Sequence, residues 1–579
     1  MRPQAPLSED SMSTLKLSAK LFFRNIFLVL VTGAGIGLWL YQLISVFVRN
    51  IDFRYESGYY VQLDELMASQ RIFFYIFILF LFISYEFVSK ARLVNAEETL
   101  LTAVKKKHPF YLGQIGFLLI LNFFIFVVVA LYNIISLKYF FIGYRDVIIY
   151  SVLLSFVTYF LNCSAAIFIG SALALRFNRV IGYAVIVAFS LLISPLPSVL
   201  ASALAMMSVN VYPLLSIFEF YLANAEYTPN LIFWLPNLPY RWALPIVWCL
   251  LAIIISVPKL FPFAQKNKTK RTVIYVMLAV LLAVNCAVAL VPSSQVEKNE
   301  DPTQGDYHDF YYYDVKGKKQ ESEKADFCVT DYDISMKIRN RLYMDVKITV
   351  DNTELDEYKF TLYHGYKISK IKDDKGQKLK YTRENDCLTV YTEGDTRCIE
   401  FVYSGYSPVY YSNLQGTSLA GDFAYYPIPG WHALYNSEQQ ALSPVLLDKE
   451  AEFEVEIDAP YEIFCNLGQN DDGKYRGKSN ALTIASGFIR EYQIQDTAVI
   501  ASYLSGIKAE KYLNSGINEM HAVESELDSE YRIKGKKIIF VSAENQHGSC
   551  TLASDHVIMR SHVLNSTDYK EELKSINGG

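Results

Sequence analysis

The chain has 579 residues, too many for one ordinary soluble domain. Hydrophobic residues make up 52% of it and concentrate before residue 292. A net charge of −5 is small for this length and argues against the basic surface that a nucleic-acid partner requires.

Residues 12–24 place Lys16, Lys20 and Arg24 four apart among Leu15, Leu17, Phe22 and Phe23. Two readings stay open: a basic helix lying on the inner membrane surface, and a plain flanking positive cluster. No cleavable signal is expected, because the first apolar run is too long and no small-residue cleavage site ends it. Seven spans are expected, at about 26–48, 72–88, 112–136, 147–175, 180–207, 241–258 and 273–292. The fifth contains Pro195 and Pro197, where a kink or break is expected. Segment 208–240 carries Pro213, Glu219, Pro229, Pro236 and Pro239 and reads as a partly buried outer hairpin. Lys90, Arg92 and Lys105–Lys107 follow the second span, Arg176 and Arg179 the fourth, and Lys266, Lys268, Lys270 and Arg271 precede the last. These clusters share one side if odd spans run outward. The N-terminus and the loops at 89–110 and 259–271 are then cytoplasmic, and 293–579 lies outside the cell membrane.

Few ionisable residues fall inside the spans. Glu86 sits near an inner end, where snorkelling suffices to explain it. Asn122, Asn162 and Asn285 are isolated amides of the kind that bonds between helices. An ion-driven transporter needs intramembrane charges, so this class is disfavoured.

The inner loop 91–110 reads ARLVNAEETLLTAVKKKHPF. Leu93, Ala96, Leu100, Leu101 and Val104 recur at helical spacing, with Glu97 and Glu98 before Lys105–Lys107 as a helix dipole favours. A short amphipathic helix is expected here. The stretch Glu98-Thr99-Leu100-Leu101-Thr102-Ala103-Val104 resembles the Glu-x-Leu-Leu-Thr-x-Pro loop of type-2 ABC exporter permeases, with Val104 in place of the proline. The resemblance covers roughly 12–258. It implies six family spans, a broken outer hairpin between the last two, and contact of Glu97, Glu98, Leu100, Leu101 and Thr102 with a separate ATPase. No ATP site occurs in this chain. Gly468–Tyr475, GQNDDGKY, matches a phosphate loop until Tyr475 replaces the magnesium-binding hydroxyl, and it reads as a β-turn.

Residues 293–325 look like a polar linker carrying Tyr311–Tyr313. From about 326 the period changes to two. Leu342, Met344, Val346, Ile348 and Val350 alternate with Tyr343, Asp345, Lys347 and Thr349, and Phe453, Val455 and Ile457 alternate with Glu452, Glu454 and Glu456. Turn pairs at Asp351-Asn352, Lys375-Gly376, Gly394-Asp395 and Asp472-Gly473 separate the strands. A β-sandwich over 326–507 is expected. Of the eight cysteines, Cys163, Cys249 and Cys286 lie in spans. Cys328, Cys387, Cys398, Cys465 and Cys550 form an odd, scattered set, for which unpaired thiols are expected ahead of disulfides.

DYDISMKI, LYMDVKITV, KFTLYHGYKISKIKDDKGQKLKY, IEFVYSGY, YYPIPGW and FEVEIDAPYEIFCNLGQ occur in that order. This series resembles the N-terminal β-domain of the aminopeptidase N family of zinc peptidases. The resemblance implies that 508–579 begins an α/β catalytic domain. Ser542-Ala543-Glu544-Asn545 there is similar to the family's substrate-binding Gly-Ala-Met-Glu-Asn motif without its Met. The family's zinc is held by His-Glu-x-x-His, and no such pattern occurs in this sequence. His547, His556 and His562 match no common ligand spacing and read as surface histidines. Tyr425, Tyr426 and Trp431 are candidates for an outer binding face, weighed against core packing.

The expected organisation is a polytopic α-helical membrane domain over 1–292, a linker over 293–325, an extracytoplasmic β-sandwich over 326–507, and a partial α/β segment over 508–579. The expected function is the permease subunit of an ABC-type exporter with a non-catalytic outer domain. The alternative is a membrane-anchored, peptidase-related binding or accessory protein without transport. Expected partners are the lipid bilayer, a separate cytoplasmic ATPase, a second permease copy and an outer peptide ligand, with no cofactor.

Overall fold

The computed structural model describes residues 7–53, 72–93, 110–140, 144–194, 239–260, 268–290, 311–318, 321–505 except 395, 408 and 440, then 509–524, 533–541 and 550–560, with single positions or short runs at 196, 204, 216–218, 220, 232, 237 and 309. Two compact units divide the chain: Met1–Tyr227 with Asn237–Val291, and Thr228–Pro236 with Pro292–Gly579.

The first unit is helical: α1 Leu7–Arg24, α2 Ile26–Phe53, α3 Phe73–Leu93, α4 Phe110–Phe140, α5 Arg145–Ser155, a π-helical turn Phe156–Leu161, α6 Asn162–Arg176, α7 Arg179–Leu192, α8 Pro239–Leu260 and α9 Lys268–Leu290. Among the described residues six helices are long and apolar enough to cross a membrane by length and composition, counting α5 to α6 as one. Seven spans were expected. Of the fifth, 180–207, the described residues show the shorter apolar helix α7, Arg179–Leu192, and most of 195–207 lies outside the described residues. Pro195 and Pro197 explain where it stops, since proline lacks the N–H for the helical ladder and disfavours helical backbone just before it. Within α1, Thr14, Ser18 and Phe22 are buried four residues apart, while Lys16, Lys20 and Arg24 are exposed. The buried face meets α4, where a side chain at Gly113 would come within 3.1 Å of Ser18 and Thr14. Apolar residues are exposed all along α9, among them Val273, Val276, Val280, Leu281 and Val284. A helix apolar all round suits a lipid environment.

Glu86 does not snorkel. Its carboxylate is mostly buried, accepts a hydrogen bond from the Tyr183 hydroxyl, and lies 3.7 Å from the Arg179 guanidinium. Tyr85 beside it donates to the Asn178 carbonyl at 3.2 Å. The end of α3 is thereby fastened to the start of α7, which Asn178 also caps through Ile181 N–H.

The second unit is sheet-rich. Its strands are β1 Val329–Ile338, β2 Leu342–Val350, β3 Glu357–Thr361, β4 Tyr366–Asp373, β5 Lys380–Glu384, β6 Cys387–Tyr391, β7 Cys398–Gly405, β8 Thr417–Leu419, β9 Ile428–Pro429, β10 Tyr435–Asn436, β11 Ala441–Leu442, β12 Ala451–Asp458, β13 Phe464–Cys465, β14 Gly468–Gln469, β15 Tyr475–Ser479, β16 Ile484–Ser486, β17 Ile489–Ile494, β18 Thr497–Ser502, β19 Lys537–Val541, β20 Cys550–Leu552 and β21 His556–Arg560. The largest sheet has seven strands, ordered β14-β15-β12-β1-β2-β7-β4, with β1 and β12 parallel. The alternating residues of β2 behave as the period demands, Leu342 to Val350 buried and Tyr343, Asp345 and Lys347 exposed. Between β14 and β15, GQNDDGKY is a turn, with Gly473 at φ +82 and its N–H bonded to the Asn470 carbonyl. A four-stranded sheet, β5-β6-β3-β9, packs with this sheet around one core that includes Phe360, Leu388, Phe401 and Phe453.

The five-stranded sheet β17-β18-β19-β21-β20 runs across the expected boundary at 507, because β18 pairs in parallel with β19. Its central strands are apolar on both faces. Ile539, Val541 and Ile558 join the sandwich core, whereas Ile538, Phe540, Val557 and Met559 pack with Leu513, Ile517 and Met520 of helix α10, Ala509–Glu524. Parallel strands covered on both sides read this way in sequence. The expected linker 293–325 is also partly packed: Asp309 and Tyr313 are buried in the second unit. Tyr313 donates to Asp386 at 2.7 Å, Tyr363 donates to Asp309 at 2.7 Å, and Tyr312 stacks on His364 at 3.6 Å between centroids. None of the eight cysteines, all among the described residues, is joined in a disulfide.

Candidate functional site

The outward face of the β5-β6-β3-β9 sheet forms a cavity of about 480 Å³. Alternation sets which side chains it receives. Leu388 and Val390 of β6 enter the core, so Cys387, Thr389 and Tyr391 face outward. Cross-strand register aligns Thr382, Thr389 and Lys359 in one row, and Glu384 with Cys387 in the next. Trp431 forms one wall. It follows Gly430, whose φ of +86 and close approach to the Glu323 carbonyl, 2.8 Å from where a Cβ would stand, suit glycine. Thr361 donates to the Gly430 carbonyl and receives His432 N–H, both at 2.8 Å, which fixes the turn.

The charges in the cavity are unequal. Lys359 lies 2.7 Å from Glu323 and 3.6 Å from Glu357, with its ammonium 4.8 Å from the Trp431 ring centre. Arg383 spends its guanidinium on the backbone carbonyls of Tyr366, Leu362, Tyr363 and Asn385. Glu321 and Glu384 add carboxylates to the lining. Burial, and then the Asp386 charge, push the Cys387 thiol up to about 11, so it is no thiolate nucleophile at neutral pH.

Of the three aromatic candidates for an outer face, Trp431 lines this cavity and the other two do not. Tyr425 and Tyr426 are fully buried, and their hydroxyls donate to the Leu482 and Gly421 carbonyls at 2.7 and 3.3 Å. Each ring fills core while its hydroxyl finds a backbone acceptor. His556 is likewise no surface residue. It is fully buried, with Nε2 2.7 Å from Thr483 Oγ1 and Nδ1 2.8 Å from Asp555 Oδ1. Burial alone would raise the Asp555 carboxyl, but hydrogen bonds from His556, Ser479 and Asn466 together hold it below the usual carboxylate range. His547, His562, the stretch Ser542–Asn545 and the coupling candidates Glu97, Glu98, Leu100, Leu101 and Thr102 lie outside the described residues. Among the described residues no group of three His, Cys, Asp or Glu side chains is placed to share a metal ion. The family's zinc therefore has no fitting ligand set among them.

The helical unit has a polar interior of its own at the π-helical turn. Asn122 donates to the Phe160 carbonyl at 2.9 Å, Asn133 to Ser155 Oγ at 2.8 Å, and Asn162 to the Phe220 carbonyl. Two of the three amides singled out in the sequence thus bond beyond their own helix, while Asn285 bonds back to Leu281 within α9. A π turn interrupts the regular ladder and commonly marks a functional position.

No family model matches the chain, and no curated protein sequence matches it. Solved structures are similar over part of it. Yeast LTA4 hydrolase, solved with bestatin, is 13% identical over 43% of this chain and 43% of its own, with a TM-score of 0.31. An M1 zinc metallopeptidase from Deinococcus radiodurans is 13% identical over 41% of this chain and 60% of its own, with a TM-score of 0.30. An aminopeptidase N family protein from Idiomarina loihiensis is 8% identical over 40% of this chain and 42% of its own, with a TM-score of 0.28. The chain spans less than two thirds of each of these relatives.

Proposed function

We propose that the chain is the membrane permease subunit of an ABC-type exporter, coupled to a separate cytoplasmic ATPase and carrying an outer domain that binds peptides without cleaving them. The observation that carries this reading is the interior of the helical unit. An anchor for an outer domain needs one apolar span. Here several helices are packed into a bundle, with Asn122, Asn133, Asn162, Ser155 and Thr158 buried inside it. Asn122, Asn133 and Asn162 hydrogen-bond to neighbouring elements as interhelical polar groups do, and a bundle joined in this way is more than an anchor requires. The grouping of Thr228–Pro236 with the sheet-rich unit supports the topology. Ile232 accepts from Phe488 N–H at 2.5 Å, the kind of contact this reading requires if 208–240 and the C-terminal unit share the outer side.

Coupling is tested by co-expressing the chain with the ATPase of its own transport system and purifying the pair. Glu98→Lys with Leu101→Asp should abolish co-purification and ATPase stimulation. Truncating Leu101 alone should weaken association by about 1–3 kcal/mol, the usual loss for an apolar anchor at a desolvated interface. Full association and transport by the double variant would overturn the assignment.

Hydrolysis by a zinc peptidase needs a metal held by protein ligands, an open position for water and a general base beside it. The purified chain should hold no stoichiometric zinc and leave aminoacyl reporter substrates intact. Cleavage that chelation abolishes and zinc restores would instead make the outer domain catalytic.

A further inference from the structure

We propose that the exposed face of α1 binds the headgroups of anionic phospholipids and so seats the helical unit on a negatively charged membrane surface. The inference goes beyond the permease reading and does not depend on it. Only the leaflet, the inner one, follows from the expected topology. Two independent observations carry it. The first is charge. Lys16, Lys20 and Arg24 stand four apart on one face of α1, are exposed, and enter no ion pair among the described residues. Lys90, near the end of α3, is exposed and unpaired in the same sense. Phe87, one turn before it, packs on Phe22 of α1 at 5.3 Å between ring centres. No described carboxylate pairs with any of the four cations.

The second is the apolar surface beside them. A row of charges that met only water would have no use for an exposed phenylalanine. Phe23, three residues after Lys20, falls in the same row and is 66% exposed. Ile26 is 75% exposed, and Phe27 and Leu30 are exposed after it, at the start of a helix long and apolar enough to cross a membrane. The basic row thus ends two residues before a broad exposed apolar surface begins. Cations at that boundary stand at headgroup depth, their stems along apolar surface and their charges toward phosphate. The face is also held in place. Its opposite side, Thr14, Ser18 and Phe22, packs on α4, where Phe22 lies 5.1 Å from Phe117 between ring centres. Gly113 and Gly116 leave room for it, since an added Cβ would come within 3.1 Å of Ser18 and 3.3 Å of Leu15. The cations are presented together before any lipid arrives, which lowers the ordering cost of binding. Net charge selects the occupant. A zwitterionic headgroup brings its own cation against the row, whereas an anionic headgroup does not.

The test uses the full chain purified in detergent and incubated with equimolar phosphatidylglycerol and phosphatidylcholine of matched acyl chains. Native mass spectrometry counts the lipid retained. Phosphatidylglycerol should be retained in preference, and rising salt should erode that preference. Lys16→Gln, Lys20→Gln and Arg24→Gln together should reduce it about tenfold or more. Lys367→Gln, Lys375→Gln and Lys378→Gln, exposed positions of the sheet-rich unit, change the net charge equally and should leave it intact. Exposed substitutions shift stability little, so the first triple variant should unfold with the parent. If it does not, Lys16→Arg with Lys20→Arg decides together with the salt series, because it keeps the charge and should keep the preference. Equal retention of the two lipids by the parent, an unchanged preference in the first triple variant, an equal loss in the second, or a loss in the arginine variant would overturn the proposal. A first triple variant that lost a co-purified ATPase while keeping its lipid preference would also overturn it, and would assign the face to protein docking. Failure of ATPase coupling or of transport in the parent leaves lipid retention unaffected, so the two readings fail separately.

Discussion

Arg560→Met should destabilise the sheet-rich unit by about 3–5 kcal/mol, because it leaves a buried carboxylate without its counter-ion. Arg560 and Asp422 have no side-chain exposure, and a guanidinium nitrogen stands 2.6 Å from the carboxylate. Thr551 closes the cluster, donating to Asp422 at 2.6 Å and receiving Arg560 at 3.1 Å. Burial alone would lower the Arg560 guanidinium, but the Asp422 charge outweighs it, so the group stays ionised at any working pH. Removing the cation strands the anion in the core. Removing both, as in Arg560→Met with Asp422→Leu, should recover most of the loss, since a buried pair and an apolar pair of similar volume are often close in stability. Thermal unfolding of the three variants, with amide exchange followed on β19 and β21, checks this. Additive losses in the double variant would show that the two side chains act separately.

The location of this pair explains its weight. Asp422 belongs to the sandwich and Arg560 ends β21, so the pair bolts the five-stranded sheet to the core it shares with the sandwich. None of it could be read from sequence, because the partners are 138 residues apart and neither position follows a period. What was legible came from local periodicity. Apolar runs gave the long helices to within a few residues, and alternation gave β2 and β12 with their buried faces. The proline pair marked where α7 ends, as the expected break there required. In the candidate cavity, Trp431 stood out as an aromatic beside a Pro-Gly turn. Its companions Lys359, Thr389 and Glu384 come from three strands whose register only pairing reveals. Tyr425 and Tyr426 went to the core packing weighed beside the outer face, and what sequence could not supply was the backbone carbonyl that each buried hydroxyl reaches. The tyrosine run at Tyr311–Tyr313 looked like linker because its partners His364 and Asp386 lie far downstream.

Gly170→Leu should abolish the packed state of the helical unit, whereas Gly37→Leu should be nearly neutral. Helices in lipid gain little from apolar burial against one another, so their association depends on close backbone approach at small residues. Ala166, Gly170 and Ala174 recur every four residues on α6 and lie on one face. That face meets α3. Ser84 donates to the Leu81 carbonyl at 3.0 Å and approaches the Ala166 carbonyl at 3.5 Å. A Cβ at Gly170 would collide with Ser84 Oγ and the Leu81 carbonyl, with Tyr85 N 3.2 Å away. Two of these three neighbours are backbone, so no rotamer change relieves the clash and the helices must separate. Overpacking of this kind costs about 1–3 kcal/mol where side chains can yield, and more where they cannot. Separation would also undo the hold of Glu86, next to Tyr85 on α3, on Tyr183 and Arg179. Gly37 has nothing within 4 Å of its added Cβ, and the same substitution there only enlarges an apolar face. Both variants should be purified in the same detergent and compared by size-exclusion profile and thermal unfolding. The Gly170 variant should aggregate or unfold well below the parent, while the Gly37 variant should shift stability by no more than about 0.5 kcal/mol. A parent-like Gly170→Leu protein would mean that α3 and α6 do not approach closely through this face.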